Sequence, residues 1–382
     1  MLILSSQRYE CQQCGRCCRR FLIPISQTEI EAISKLPWQH ATDAKIQCYT
    51  SINGRSFLKA DAKTAECVFL ENGTKCRMHA AFGSKCKTIS CRAYPFEFMR
   101  TFGDDITVAG RFDCPAIQSN SGKILEFQRF DLEELLADPL MHALPPPISP
   151  LQMDGLTRNT IEFLADTLKD IVLKGDTTIP AIALLVRNIR RLGYTFANDL
   201  DTLKEVLPSM LDKARRKSFD DSVIGINWPA RNRLRDEMLR YLRYDRQAPD
   251  FSIAARLKQL RLSAEIFAGC GNPRSFGPEQ PNVTIRTARL FDNDFWHSEE
   301  NAWECYRRFL SVRLESRQFF ASAYYGKSFF DGLDALFKTW DAALLLSRLH
   351  AASVHPGVID SADVAYATGL IDHYHGRRIK VK

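Results

Sequence analysis

The chain has 382 residues, with 52 Lys and Arg against 45 Asp and Glu for a net charge of +7, and 45% of it is hydrophobic. That length suggests two or three domains, and no run approaches the roughly 20 apolar residues of a membrane-crossing helix. The mild positive charge permits an acidic partner without demanding one.

Ten of the twelve cysteines fall before residue 115, the density of a stapled domain. Met1 to Leu4 is too short an apolar run for a secretory signal. The thiols are therefore read as reduced, in a cytoplasmic protein, and as metal ligands rather than disulfide partners.

Cys11, Cys14 and Cys17 stand at C-x2-C-x2-C, a spacing at which thiolates on a turn converge on one soft cation or cluster. Gly15 lets the backbone fold tightly between them. Cys18 directly follows Cys17, so the two side chains diverge. That pair suits two metal centres, or one centre and the core, better than a single small ion.

Residues 26–36 read as a short helix, with Ser26 and Glu29 as a capping box and Ile30, Ile33 and Leu36 as one stripe. Residues 38–66 read as irregular, with a turn at Asn53-Gly54 beside an extended Ser56-Phe57-Leu58. Cys48, isolated there, reads as a buried small residue. Cys67 to Leu70, the Asn72-Gly73 turn and Cys76 to His79 predict a tight hairpin with one thiol on each arm. Cys86 and Cys91 add two thiols ahead of Pro95. Phe96–Arg100 and Ile106–Phe112 alternate about Gly103-Asp104-Asp105 as a second hairpin. At its exit stands Cys114-Pro115, a pairing that recurs at iron–sulfur ligands.

In order, Cys11-x2-Cys14-Gly15-x-Cys17-Cys18, Cys67-x-Phe69-Leu70, Cys76-x2-His79, Cys86 and Cys91-Arg92-x-Tyr94-Pro95-Phe96 resemble the YkgJ-type cysteine-cluster family. The resemblance covers residues 8–116 and implies a zinc- or iron-chelating domain. The family includes the flagellin lysine-N-methylase branch, whose association with a [4Fe–4S] cluster and with S-adenosylmethionine is implied by the same likeness. The stretch from Tyr306 through Phe337 to His350 is loosely similar to the helical C-terminal part of that branch.

Asp131–Ala137 reads as a short helix, and Leu144-Pro145-Pro146-Pro147-Ile148-Ser149-Pro150 as an extended linker. Beyond it the chain reads as helices. One runs over Leu156–Lys174, with Ile161, Leu164, Leu168, Ile171 and Val172 on one face and Gly175 as its stop. Others run from Thr178-Ile179-Pro180 to Arg191, from a cap at Asn198 or Asp199, from Pro229 to Tyr244, and over Ala255–Ala268. Gly269-Cys270-Gly271 reads as a helix C-cap rather than a nucleotide-binding loop, because no strand precedes it and Pro273 and Pro278 follow. Residues 276–301 read as an irregular aromatic loop that covers the core or lines a site. Two long helices, Glu300–Tyr325 and Phe329–Leu349, end the pattern, and His373 and His375 read as surface residues. The six arginines between Arg231 and Arg246 are interleaved with Asp236, Glu237 and Asp245, which argues against nucleic acid and for a solvated face or docking of an acidic protein segment.

The expected fold is mainly α, with a small cysteine-rich α+β N-terminal domain stapled by metal over residues 1–125. A short helix and proline-rich linker follow over 126–150, then a helical domain over 151–382. The candidate metal ligands are Cys11, Cys14, Cys17, Cys18, Cys67, Cys76, Cys86, Cys91 and Cys114. Three cysteines at x2 spacing joined by thiols from remote segments fit a [4Fe–4S] cage at least as well as a zinc site, which more often shows two C-x2-C pairs, and iron–sulfur is preferred. Cys11, Cys14 and Cys17 lead that set, with the fourth ligand from Cys18, Cys86 or Cys91.

The expected function, carried by the resemblance, is methyl transfer from S-adenosylmethionine to a protein lysine by a metal-cluster enzyme. Its rivals are a non-catalytic zinc- or iron-binding adaptor and an iron–sulfur electron-transfer protein. No residue pattern locates a catalytic base or a cofactor pocket. The absence of C-x3-C-x2-C and of a βα barrel argues against radical S-adenosylmethionine chemistry.

Overall fold

The cysteine loop is held where the N-terminal strands meet the helices behind them. The computed structural model describes residues 1–382 except 5, 39–46, 53, 62–65, 142, 194–197, 221–227, 243–252, 277–279 and 375–382. Asn53, Tyr244, Asp245, Arg246, Pro278 and His375, each weighed above, lie outside the described residues. The described chain is mainly helical with several small sheets.

The N-terminal part begins with two short strands that the sequence pattern did not signal, β1 (Leu2–Ile3) and β2 (Arg8–Tyr9). Helices α1 (Arg16–Arg20) and α2 (Gln27–Ser34) follow, α2 with the complete Ser26/Glu29 capping box. Strands β3 (Tyr49–Ile52) and β4 (Arg55–Leu58) form a hairpin. Strands β5 (Leu70–Glu71) and β6 (Lys75–Cys76) form a second, closed by Asn72 and Gly73, both at positive φ. Cys76 ends an arm as expected, but Cys67 lies ahead of β5, where it bridges to Ala60.

Then come α3 (Arg77–Phe82), α4 (Ile89–Ala93), β7 (Phe96–Arg100) and β8 (Ile106–Gly110). Strands β7 and β8 make the expected antiparallel hairpin, and β1 joins β8 in parallel to complete a three-stranded sheet. Helix α5 (Pro115–Gln118), strand β9 (Lys123–Ile124) paired with β2, and helix α6 (Arg129–Ala137) close this part.

The proline-rich stretch runs extended and is tied back to the sheet, Ile148 N donating to Thr101 O at 2.8 Å. Helix α7 (Arg158–Lys174) has a Thr157 cap and a left-handed Gly175 stop. The five apolar residues singled out on it are all buried, each a gain of about 1.5–3 kcal/mol. Helix α8 (Ile179–Arg191) starts at the Thr178 cap. Helix α9 (Leu200–Asp220) takes its cap from Asp199, which accepts from Thr202 N, while Asn198 accepts from Thr157 N across the gap. Helices α10 (Trp228–Leu242) and α11 (Ile253–Ala268) follow, and a helix cap forms as Gly269 N donates to Ile266 O and both Cys270 N and Gly271 N donate to Glu265 O.

The 276–301 loop serves the core: Ile285, Ala288, Leu290 and Trp296 are buried in it. Strand β10 (His297–Ser298) pairs with β11 (Val358–Ile359), which lies between α13 (Phe329–Val354) and α14 (Ser361–Tyr374). Helix α12 (Glu304–Glu315) stops ten residues before the expected Tyr325. Ser316 O is taken by Thr107 Oγ1 of β8 at 2.9 Å, Arg317 turns to φ 60°, and Phe319 and Phe320 swing in against Phe329. Docking to the sheet thus overrides a periodicity that would carry the helix on.

The largest buried cluster runs from Leu4, Ala109, Phe112, Cys114 and Ile117 into the helices of the C-terminal part. Across that contact, Arg313 binds Asp372 and donates to Glu97 at 2.8 Å and Gln318 at 2.9 Å, while Asp372 accepts from Phe112 N at 2.7 Å. Among the described residues no helix is long and apolar enough to cross a membrane.

Candidate metal centre

Seven thiols line one cavity of about 320 Å³. Cys11 and Cys14 lie on the loop before α1, and Cys17 and Cys18 lie within α1. Cys76 ends β6, Cys91 lies in α4, and Cys114 caps α5. The loop turns at Gly15, whose φ of 69° is left-handed, and there it seats on the β5–β6 turn. Helix α4 is aimed by two carboxylate contacts of Glu29: one oxygen accepts from Ser26 N at 2.8 Å, the other from Ile89 N at 2.7 Å.

A second cavity of about 300 Å³ shares Cys17, Cys18, Cys76 and Cys91 with the first, adds Cys67, and is walled by Phe21, Tyr94 and Phe96. Cys86, in the short turn Ser84–Cys86, is the one candidate ligand that lines neither cavity. Cys48 is buried in an apolar cluster, as read, and Cys305 in the main core.

The electrostatics of the site follow from burial among thiols. The Cys17 and Cys18 Sγ atoms stand 4.0 Å apart, so the two side chains meet rather than diverge as their adjacency suggested. The Cys18 thiol donating to Cys17 holds Cys17 well below the ordinary thiol range, with Lys87 assisting, while Cys18 is pushed up by the same bond and by burial. Burial pushes Cys67 up to about 11, and Cys91 and Cys114 up to about 12. Burial likewise pushes up the Tyr9 and Tyr94 phenols. His79, on the first cavity, is held below the usual imidazole value by burial and by Lys87.

Lys87 and Tyr94 line both cavities, and spacing alone marks neither. Burial works against the Lys87 ammonium, but the charges of Cys91, Cys17, Cys76 and Cys11 more than offset it. Asp113 is fully buried behind Tyr94, accepting from its hydroxyl at 3.3 Å, and stands 3.1 Å from His373 Nδ1. His373 is therefore mostly buried, at 16% exposure, rather than a surface residue: its ring fills the gap between α14 and Phe21.

The donor set fits a thiolate-ligated metal group. Among the described residues lining the two cavities none is Asp or Glu. At a zinc–sulfur distance near 2.3 Å, tetrahedral thiolates stand about 3.8 Å apart. Among the described residues no three cysteines bring their sulfurs within 4.8 Å of one another. A polynuclear cluster distributes its ligands over several irons and so accepts thiolates set farther apart. Among the described residues the one group of three donors that meets that distance is His355, Asp360 and Asp363, and there Asp360 and Asp363 cap α14 through reciprocal backbone bonds.

Comparison with protein-family models, with curated proteins and with solved structures finds no match for this chain.

Proposed function

We propose that the N-terminal 125 residues hold a [4Fe–4S] cluster, with Cys11, Cys14, Cys17 and Cys114 as its ligands, in a cytoplasmic protein whose helical part engages a protein partner. The observation that carries this reading is the convergence of seven thiols, with no carboxylate among the described lining residues, on one cavity of about 320 Å³. We take Cys114 in place of the expected fourth ligand, Cys18, Cys86 or Cys91, because it lines the first cavity with Cys11 and Cys14 and, unlike Cys18 and Cys91, does not line the second. A cluster bound there would supply one-electron chemistry or a Lewis-acidic iron. Lys87 would offset thiolate charge by its ammonium, and Tyr9 and Tyr94 line the cavity, whose Cys11 and Cys14 edge is exposed.

Methyl transfer from S-adenosylmethionine to a protein lysine, implied by the family resemblance, is the second reading. The adjoining aromatic-walled cavity favours it, since it places room for a small molecule beside the thiols. A lysine ammonium must lose its proton before its nitrogen attacks a sulfonium methyl, and His79, which lines the first cavity and not the aromatic-walled one, is a group able to take it. A zinc-binding adaptor is the alternative of a different class.

Anaerobic purification followed by iron, zinc and sulfide analysis and visible absorption tests the first reading. Iron with equimolar sulfide, and a broad absorption lost in Cys14→Ala, supports it. Colourless protein with zinc in place of iron, equally well folded, supports the adaptor. Transfer of label from S-adenosylmethionine to lysine of a partner protein, abolished in His79→Ala, tests the second.

A further inference from the structure

Of the ligands proposed above, Cys11, Cys14 and Cys17 lie on one short loop and the helix it opens. Cys114 reaches them from the far side of the β7–β8 hairpin, so its place depends on what holds the segment Phe112-Asp113-Cys114. Within the N-terminal part, Cys114 N donates to Arg111 O at 3.1 Å and Gln118 N to Cys114 O at 3.0 Å. The Asp113 carboxylate takes Arg111 and accepts from the Tyr94 hydroxyl at 3.3 Å.

Further contacts come from α14, 260 residues along the chain. Asp372 divides its fully buried carboxylate: one oxygen binds Arg313 of α12, and the other accepts from Phe112 N at 2.7 Å. His373 Nδ1 stands 3.1 Å from Asp113 Oδ2, with its ring 5.4 Å from that of Phe21. Gln118 Nε2 ties the two elements together, donating to Phe112 O at 2.6 Å and to Ala365 O of α14 at 2.8 Å. The helix comes this close because residue 369 is glycine. A Cβ there would stand 2.6 Å from Gln118 Nε2, 3.4 Å from Phe112 O and 3.8 Å from Asp113 Cα. Glycine inside a helix is unfavourable, and the close approach is what it permits here.

We propose that Gly369, Asp372 and His373 of α14 are positioning residues of the metal centre, setting the Asp113–Cys114 segment and, through it, the Cys114 ligand. This rests on the iron–sulfur reading above and on Cys114 as one of its ligands. Groups that hold a ligand in place are worth about 10–100-fold in metal affinity. A carboxylate accepting from a backbone N–H is also a stronger tether than a neutral acceptor. Both parts of the chain therefore build the centre: the N-terminal loop and α1 supply Cys11, Cys14 and Cys17, and the last helix clamps the segment that supplies Cys114. A displacement of α14 would loosen that ligand and leave the loop seated on the β5–β6 turn.

The test is the rate at which a chelator strips iron from the anaerobically purified full-length protein, with electron paramagnetic resonance of the reduced cluster. His373→Phe keeps a ring beside Phe21 and removes the bond to Asp113, whose charge Arg111 still meets. Gly369→Ala drives a methyl group against Gln118. Both are expected to lose iron about tenfold faster than wild type, with a shifted resonance, and Cys114→Ala faster still. Gly332→Ala in α13 is the control. Its Cβ would stand 2.4 Å from Phe319 O, so urea unfolding should show a less stable protein whose iron loss and resonance match wild type. Should Gly369→Ala fail to fold, His373→Phe decides alone. Wild-type iron loss and resonance in the folded α14 variants overturn the proposal and leave the iron–sulfur reading intact. So does iron loss in Gly332→Ala as fast as in those variants, since stability alone then accounts for it. Cys114→Ala with the wild-type cluster overturns that ligand and the proposal with it. Wild type without iron overturns the reading and the proposal together.

Discussion

Gly15 of the cysteine loop packs its backbone so closely on Gly73 of the β5–β6 turn that a Cβ on Gly15 would stand 2.4 Å from the Gly73 carbonyl oxygen. This contact seats the Cys11–Cys18 segment on the hairpin that carries Cys76. An alanine there meets a fixed carbonyl in a left-handed conformation. Gly15→Ala is expected to destabilise the protein by about 2–4 kcal/mol, left-handed strain and overpacking together, and to lose bound metal. Gly103→Ala is the control. Its φ of 59° is similar but its Cβ would meet open space, so only the strain of about 1–2 kcal/mol is expected. Urea unfolding of both variants measures the difference, and equal losses would count against the seating contact.

Glu29 serves two elements at once, closing the capping box of α2 and accepting from Ile89 N at the start of α4. Glu29→Ala is expected to cost about 2–3 kcal/mol, one cap and one charge-assisted bond. Hydrogen exchange at the Ile89 amide should accelerate beyond the global change in stability. An Ile89 amide that exchanges as in wild type would show that α4 is held by other contacts.

Arg313 and Asp372, 5% and 0% exposed, form a buried ion pair between α12 and α14. Arg313→Met strands the Asp372 carboxylate in the core and is expected to cost about 3–5 kcal/mol. Arg313→Met with Asp372→Leu is expected to recover part of that loss, because the fully buried carboxylate is then gone and Glu97, the other partner of Arg313, is 22% exposed. Chemical denaturation of the single and double variants decides the point; a double variant less stable than the single would refute it.

Cys17 is held below the ordinary thiol range by the Cys18 thiol and Lys87. A lowered folded value adds stability above the unfolded thiol value of about 8.5. That gain is lost as pH falls through the lowered folded value. In protein freed of metal, iodoacetamide at pH 7 is therefore expected to label Cys17 ahead of Cys67, Cys91 and Cys114, which burial pushes up to about 11, 12 and 12. Cys18→Ala removes the donor and should move Cys17 labelling to higher pH. Peptide mass spectrometry reads the order, and equal rates at Cys17 and Cys91 would contradict it.

The sequence by itself determined what rests on neighbours a few residues apart. The Ser26/Glu29 capping box, the helix start at Thr178, the Gly175 stop, the buried face of α7 and the β7–β8 hairpin are all present. Each is set by local hydrogen bonding or by a hydrophobic period. Every thiol on the two cavities had also been singled out as a candidate ligand. Spacing does not say which thiols meet. Cys114 joins Cys11 and Cys14 from a hundred residues away, while Cys86 stays outside both cavities.

Tertiary structure alone decided the parallel pairing of β1 with β8, the early end of α12, the burial of His373 on Asp113 and the place of Lys87 between the thiols. Two-residue strands carry no readable alternation, and Lys87 is an ordinary residue in the sequence. Each of these features comes from segments brought together by the common core, whose burial free energy outweighs the local preferences from which a sequence is read.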